Sequence, residues 1–179
     1  TIALTRKLEL VGGLRVEHYN VDLTSQTIAG APTGVGRYED SETTLGGKIG
    51  LVYKPVENGT FYGSYGVSAL PPGSYLSNPD ISREGNNAFP GLVLGADPIE
   101  IHNYEVGVKW DFFGGRLSTT AALFHTEKKS VPYNGAAGDP AIVYGEQQVQ
   151  GLELGIAGNV TERWKVFGGL LLLDSERKH

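Results

Sequence analysis

Ser64, set in Gly63-Ser64-Tyr65-Gly66, is the hydroxyl whose surroundings come nearest to those of a nucleophile. A catalytic serine needs a base and a sharp elbow to present it, and the chain holds no Gly-x-Ser-x-Gly elbow, no phosphate loop and no His-Glu-x-x-His zinc pair. Ser64 is therefore read as a strand residue. His18, His102, His125 and His179 are scattered without metal-ligand spacing, and with no Cys there is no thiolate ligand or thiol nucleophile. We expect no catalytic residue, no metal site and no resident cofactor. Glu105 and Lys109 are more informative. They are opposite charges on one side of a strand, and their alternation leads to the element that must position them.

That element is the stretch from Asn103 to Lys128. Tyr104, Val106, Val108, Trp110 and Phe112 fall on one face of a period-two strand, and Asn103, Glu105, Gly107, Lys109 and Asp111 on the other. Gly114 and Gly115 suit a two-residue primed turn, which sets Phe112 opposite Leu117, Val108 opposite Ala121, Val106 opposite Leu123, Asp111 opposite Ser118 and Lys109 opposite Thr120. Both arms then agree on an apolar and a polar face. Arms of this length exceed the usual globular strand of about five or six residues and match the roughly 9 to 11 that cross a bilayer. Outer-membrane barrels carry the same alternation, apolar outward and polar inward, with aromatic residues near the strand ends.

Composition agrees with a barrel without demanding one. No apolar run approaches the ~18 residues of a transmembrane helix, but barrel strands need apolar residues at alternate positions only. The net charge of -5 and the lack of a Lys/Arg cluster exclude a nucleic-acid surface. The chain opens in mid-pattern at Thr1-Ile2-Ala3-Leu4 with neither initiator Met nor signal peptide, and is read as a piece of a longer protein.

Strands are expected near 8 to 22, 43 to 54, 60 to 68, 100 to 112, 117 to 130, 146 to 158 and 164 to 173. The turns 55–59, 113–116 and 159–163 are short, whereas 23–42, 69–99 and 131–145 are long and rich in Gly, Pro, Asn and Ser. Short and long alternate, so an up-and-down meander gathers the short turns at one rim and the long loops at the other. Asn58-Gly59-Thr60 and Asn159-Val160-Thr161 fit a glycosylation pattern but are explained by turn chemistry. Thr5 to Leu14 aligns without gaps onto Thr161 to Leu170, a repeated turn opening into a strand. Asp174 to His179 is expected to open another long loop.

The segments GGLRVEHYNVDL, LVYKPVENGTFYGSYGVSALPP, NYEVGVKWDFFGGRLSTTAALFHTEK and QQVQGLELGIAGNVTERWKVFGGLLLLDSE, in that order, resemble consecutive barrel segments of TonB-dependent siderophore receptors of the catecholate and ferrichrome type. The resemblance implies an all-β, antiparallel meander of about seven long strands within a barrel of about 22 strands whose lumen is plugged. It implies residence in the bacterial outer membrane and uptake of ferric siderophores, with no enzymatic activity. The implied partners are the ferric siderophore, outer-membrane lipid, the remaining barrel and plug, and TonB acting through the plug. Nothing in the chain matches a plug or a coupling box, so residues 1–179 are expected to be a barrel fragment alone.

A ferric catecholate is bulky, anionic and aromatic, so its receptor needs guanidinium charge and flat side chains. Tyr75, Arg83 and Phe89 in the longest loop supply that mixture, with Arg37, Tyr38, Tyr133 and Tyr144 in neighbouring loops. Glu105, Lys109 and Thr120 are expected to face the lumen or plug. Two other architectures remain open at this point: a small self-contained outer-membrane barrel of eight strands with a structural or adhesive role, and a soluble β-sandwich binding module with shorter strands and two apolar cores.

Overall fold

The computed structural model describes residues 1–24, 37–71, 97–133 and 143–178. Its eight strands are β1 (Ile2–Ala3), β2 (Leu8–Thr24), β3 (Arg37–Val56), β4 (Gly59–Leu70), β5 (Ile99–Phe112), β6 (Leu117–Tyr133), β7 (Val143–Asn159) and β8 (Lys165–Lys178). They form one sheet in strict chain order, every neighbouring pair antiparallel. The expected meander is present, with Thr1 to Leu4 contributing the short β1 against Leu10 and Glu9.

The strands are longer than hydrophobic alternation indicated. β3 begins at Arg37 rather than near 43, β7 at Val143 rather than 146, and Asp174 to Lys178 continues β8 instead of opening a loop. The reason lies in what holds each portion. Alternation records the apolar face, whereas the backbone ladder runs on into water wherever cross-strand polar pairs support it. Gln150 Nε2 donates to Asp174 Oδ2 at 3.2 Å, and Gln148 Nε2 to Glu176 Oε2 at 2.5 Å, in the segment that carries no apolar pattern.

The β5–β6 hairpin has the expected register, with Phe112 opposite Leu117, Val108 opposite Ala121 and Lys109 opposite Thr120. Its turn differs by one position. Gly115 N–H donates to the Phe112 carbonyl at 3.2 Å, so the central residues are Phe113 (φ 55°) and Gly114 (φ 67°), with Gly115 at φ 86°. Positive φ at both central positions matches the primed turns that suit strand twist. Phe113 thus occupies a backbone region that a side chain disfavours.

The short turns are tied to one another. Lys7 Nζ donates to the Pro55 carbonyl at 2.7 Å, Asp111 N–H to the Asn58 carbonyl at 2.8 Å, and Asn159 N–H to the Arg116 carbonyl at 2.7 Å. These bonds link the four tight turns along one rim. The repeated turn is the same structure twice: Leu4 and Thr5 N–H donate to the Leu8 carbonyl, as Val160 and Thr161 do to Trp164, and Thr5 Oγ1 accepts from Lys7 N–H as Thr161 Oγ1 does from Arg163.

No second layer covers this sheet among the described residues. Among the described residues only Ile99, Leu117 and Val131 are buried hydrophobics, while Leu14 is 87% and Val106 and Leu123 are each 57% exposed. A sandwich would bury those faces, which stand open here among the described residues. An eight-stranded closed barrel would pair β1 with β8, and the described sheet is open between them.

Candidate functional site

Because side chains alternate, the pairings assign each residue to one of two faces. One carries Tyr53, Phe61, Val106, Val108, Trp110, Phe112, Leu123, Leu152, Leu154 and Leu172, linked rung by rung across β3 to β8. Toward the short turns it ends in aromatics, with Phe61 and Trp110 edge to face at 6.4 Å. Toward the long loops it ends in a row across the strands: Tyr65, Tyr104, His125, Gln150 and Asp174. Tyr65 and Tyr104 rings lie 5.0 Å apart, the Tyr65 hydroxyl is hydrogen-bonded to His102 Nδ1 at 2.8 Å, and His125 Nε2 to Glu127 at 3.0 Å. His102 and His125 are thus strand residues within this aromatic and polar border. His18, on β2, bonds Thr43 Oγ1 at 3.0 Å.

Glu105, Lys109 and Thr120 share the opposite, polar face, as expected of them. Ser64 stands there too, across from Glu105 and Gly50. The two charges are separated by Tyr62. Its hydroxyl donates to Glu105 Oε1 at 2.6 Å, and Lys109 Nζ sits 5.7 Å from the centre of its ring. Tyr62 lies opposite Gly107, where a Cβ would come within 2.6 Å of the ring, so the missing side chain makes room for it. Glu153, opposite Ala122, and Lys48, opposite Gly66, add two more charges to this face.

Sequence reasoning missed Tyr62, Glu153 and Lys48. A paired Gly and aromatic was the available signal, but using it requires the β4–β5 register, which is set across a long connection. The polar face is not uniform. On β8, Phe167, Leu171 and Leu173 share it, at 92%, 53% and 58% exposure.

Of the expected ligand-binding residues, Tyr75, Arg83 and Phe89 lie outside the described residues. Arg37, Tyr38, Tyr133 and Tyr144 were expected in loops and stand instead in strands: Arg37 pairs with Thr24, Tyr38 with Leu23, Tyr133 with Val143 and Tyr144 with Pro132. They occupy the last rungs of the β2–β3 and β6–β7 hairpins, because those ladders outrun the apolar face. Near the end of β6 a bulge sets Lys129 and Ser130 (φ 56°) against the single Glu146.

An exposed apolar face bounded by aromatic and polar rows, on long meandering strands, is the wall of a membrane barrel. The family model described as TonB dependent receptor-like, β-barrel, matches residues 1–177. The chain belongs to the TonB-dependent receptor β-barrel family. Barrels of this family are receptors and transporters of the bacterial outer membrane rather than enzymes. The chain is similar to a probable TonB-dependent siderophore receptor, PiuA, of Acinetobacter baumannii, 35% identical over 98% of this chain and 23% of the relative. It is 33% identical to the catecholate siderophore receptor Fiu of Escherichia coli over 94% of this chain and 24% of that one. The crystal structure of PiuA superposes with a TM-score of 0.78 at 33% identity, covering 97% of this chain and 24% of PiuA. This receptor-barrel segment therefore spans about a quarter of the length of the relatives it matches.

Proposed function

We propose that the protein containing this chain takes up ferric siderophores of the catecholate class through the outer membrane, and that residues 1–179 are barrel wall without plug. The observation that carries the reading is the end-to-end similarity, at 33–35% identity, to receptors named for siderophores and, in one case, for catecholates. In this reading the apolar face meets lipid and the polar face, with Glu105, Lys109 and Thr120, lines the lumen and meets the plug. The short turns lie in the periplasm and the long connections outside. Uptake would be driven by TonB acting on a plug outside this chain.

The long connections carry the ligand. A loop of this length needs a functional reason, and capture of a bulky anion supplies one for the stretch between β4 and β5. Arg83 contributes charge, Tyr75 and Phe89 flat contact, and Arg37, Tyr38, Tyr133 and Tyr144 the neighbouring surface.

The test is uptake of radiolabelled ferric catecholate by cells whose own siderophore receptors are deleted and which carry the complete gene. Restored, TonB-dependent uptake is expected, and none at normal receptor levels overturns the assignment. Arg83→Ala should weaken binding by about 1–3 kcal/mol, the scale of a hydrogen bond to charge, without lowering receptor abundance. Unchanged affinity in both Arg83→Ala and the Tyr75→Ala, Phe89→Ala double variant removes this loop from the binding site.

A further inference from the structure

Charge is divided unevenly between the two ends of the sheet. The short-turn rim carries Arg6, Lys7, Lys54, Arg116, Arg163 and Lys165, all solvent-exposed. The carboxylates there are fewer, and two are engaged: Glu9 pairs with Lys54 at 3.0 Å and Asp111 accepts from the Ser118 hydroxyl. Glu57 and Glu162 are the others. At the opposite end, among the described residues, carboxylates outnumber cations on β2, β3, β5 and β7, while β6 and β8 carry Lys128, Lys129, Arg177 and Lys178. A chain of net charge -5 thus keeps a basic rim.

At each of the four short turns a basic residue stands within three positions of an exposed apolar one, Lys54 near Val56 being the one whose cation is engaged by Glu9. Arg6 follows Leu4, 50% exposed; Arg116 follows Phe113, 57% exposed; Arg163 precedes Trp164, 64% exposed. Phe113 keeps a positive φ with its ring in solvent, and Arg116 Nε donates to its carbonyl at 3.2 Å, which fixes ring and guanidinium on one tip. Aromatic residues at this level occupy the membrane interface, and a guanidinium there meets headgroup phosphates bidentately. The turn-to-turn hydrogen bonds hold the tips in one line, so the cations form a row and not isolated points.

We infer that this rim binds anionic phospholipid headgroups of the leaflet it faces, with Arg6, Arg116 and Arg163 on phosphate and Phe113 and Trp164 set at the level of the glycerol esters beneath the headgroups. The inference rests on the barrel reading, with short turns toward the periplasm.

The experiment uses the complete receptor in nanodiscs of phosphatidylethanolamine with and without phosphatidylglycerol, and counts retained lipids by native mass spectrometry after detergent exchange. Wild type should retain phosphatidylglycerol several-fold over phosphatidylethanolamine, and the preference should fall in high salt. Glycerol phosphate in solution should not compete. The Arg6→Gln, Arg163→Gln pair, which leaves the Phe113 turn intact, should reduce the preference, and adding Arg116→Gln should abolish it. Lys129→Gln with Lys178→Gln, an equal charge change at the other end, should leave it in place. Equal retention of both lipids by wild type, or the same loss in the two sets of variants, overturns the inference. Membrane-impermeant maleimide on a Gly115→Cys receptor in intact cells separates the causes. Labelling from outside would sink the orientation as well, whereas protection combined with no lipid preference would leave the barrel reading standing and remove the lipid site.

Discussion

Tyr62 determines how the polar face holds its charges. Glu105 and Lys109 look like partners in the sequence, yet the phenol stands between them, giving its hydroxyl to one and its ring face to the other. A hydrogen bond to a charged group contributes about 1.5–3 kcal/mol, reduced to about 1 kcal/mol at a part-buried site. Tyr62→Phe in the complete receptor should lower stability by that amount, measured as a shift in the denaturation midpoint. No shift would mean that water replaces the bond without loss. Gly114 is the second residue-scale case. Its φ of 67° suits glycine, and Gly114→Val should cost about 1–2 kcal/mol in the same measurement, since a β-branched side chain is strained there. An unchanged midpoint would show that the turn can adopt another form.

Among the elements, the β5–β6 hairpin carries the most direct test of facing. Val108, between Phe61 and Ala121, is on the apolar face, and Lys109, opposite Thr120, on the polar one. Arg at a lipid-facing midplane position costs about 2–4 kcal/mol, while lumen substitutions are milder. Val108→Arg should therefore depress assembly of the receptor and Lys109→Arg should not; equal folding yields would refute the assignment. The repeated turn offers a finer comparison. Thr5→Ala and Thr161→Ala remove the same side-chain acceptor from the same turn, and each should cost about 0.5–1 kcal/mol. Clearly unequal losses would show that the turns' neighbours, not their own hydrogen bonds, decide their strength.

As a whole, the sheet cannot satisfy itself in a membrane. Among the described residues β8 presents a long edge, and β1 covers only the start of β2. Each unpaired backbone group in hydrocarbon costs several kcal/mol, and about five on an edge exceed the roughly 5–15 kcal/mol that stabilise a typical domain. The isolated segment should therefore fail to insert as a monomer. A monomeric, heat-modifiable barrel band from purified residues 1–179 in detergent would contradict this.

The sequence by itself determined the two-faced strands, the central hairpin's register, the alternation of short and long connections and the repeated turn, because each is set by neighbours along the chain or by a period of two. The resemblance of its barrel segments named the family in advance. Only the tertiary structure decided where the strands end. Arg37, Tyr38, Tyr133, Tyr144 and Asp174 to Lys178 look like loop in the sequence and are ladder in the fold, since backbone pairing persists in water where no apolar pattern is needed. It also decided that Tyr62 serves Glu105 and that the rim turns join one another. Those contacts cross strand pairs whose register is set over long connections, and period-two alternation within one strand carries no information about its offset from the next.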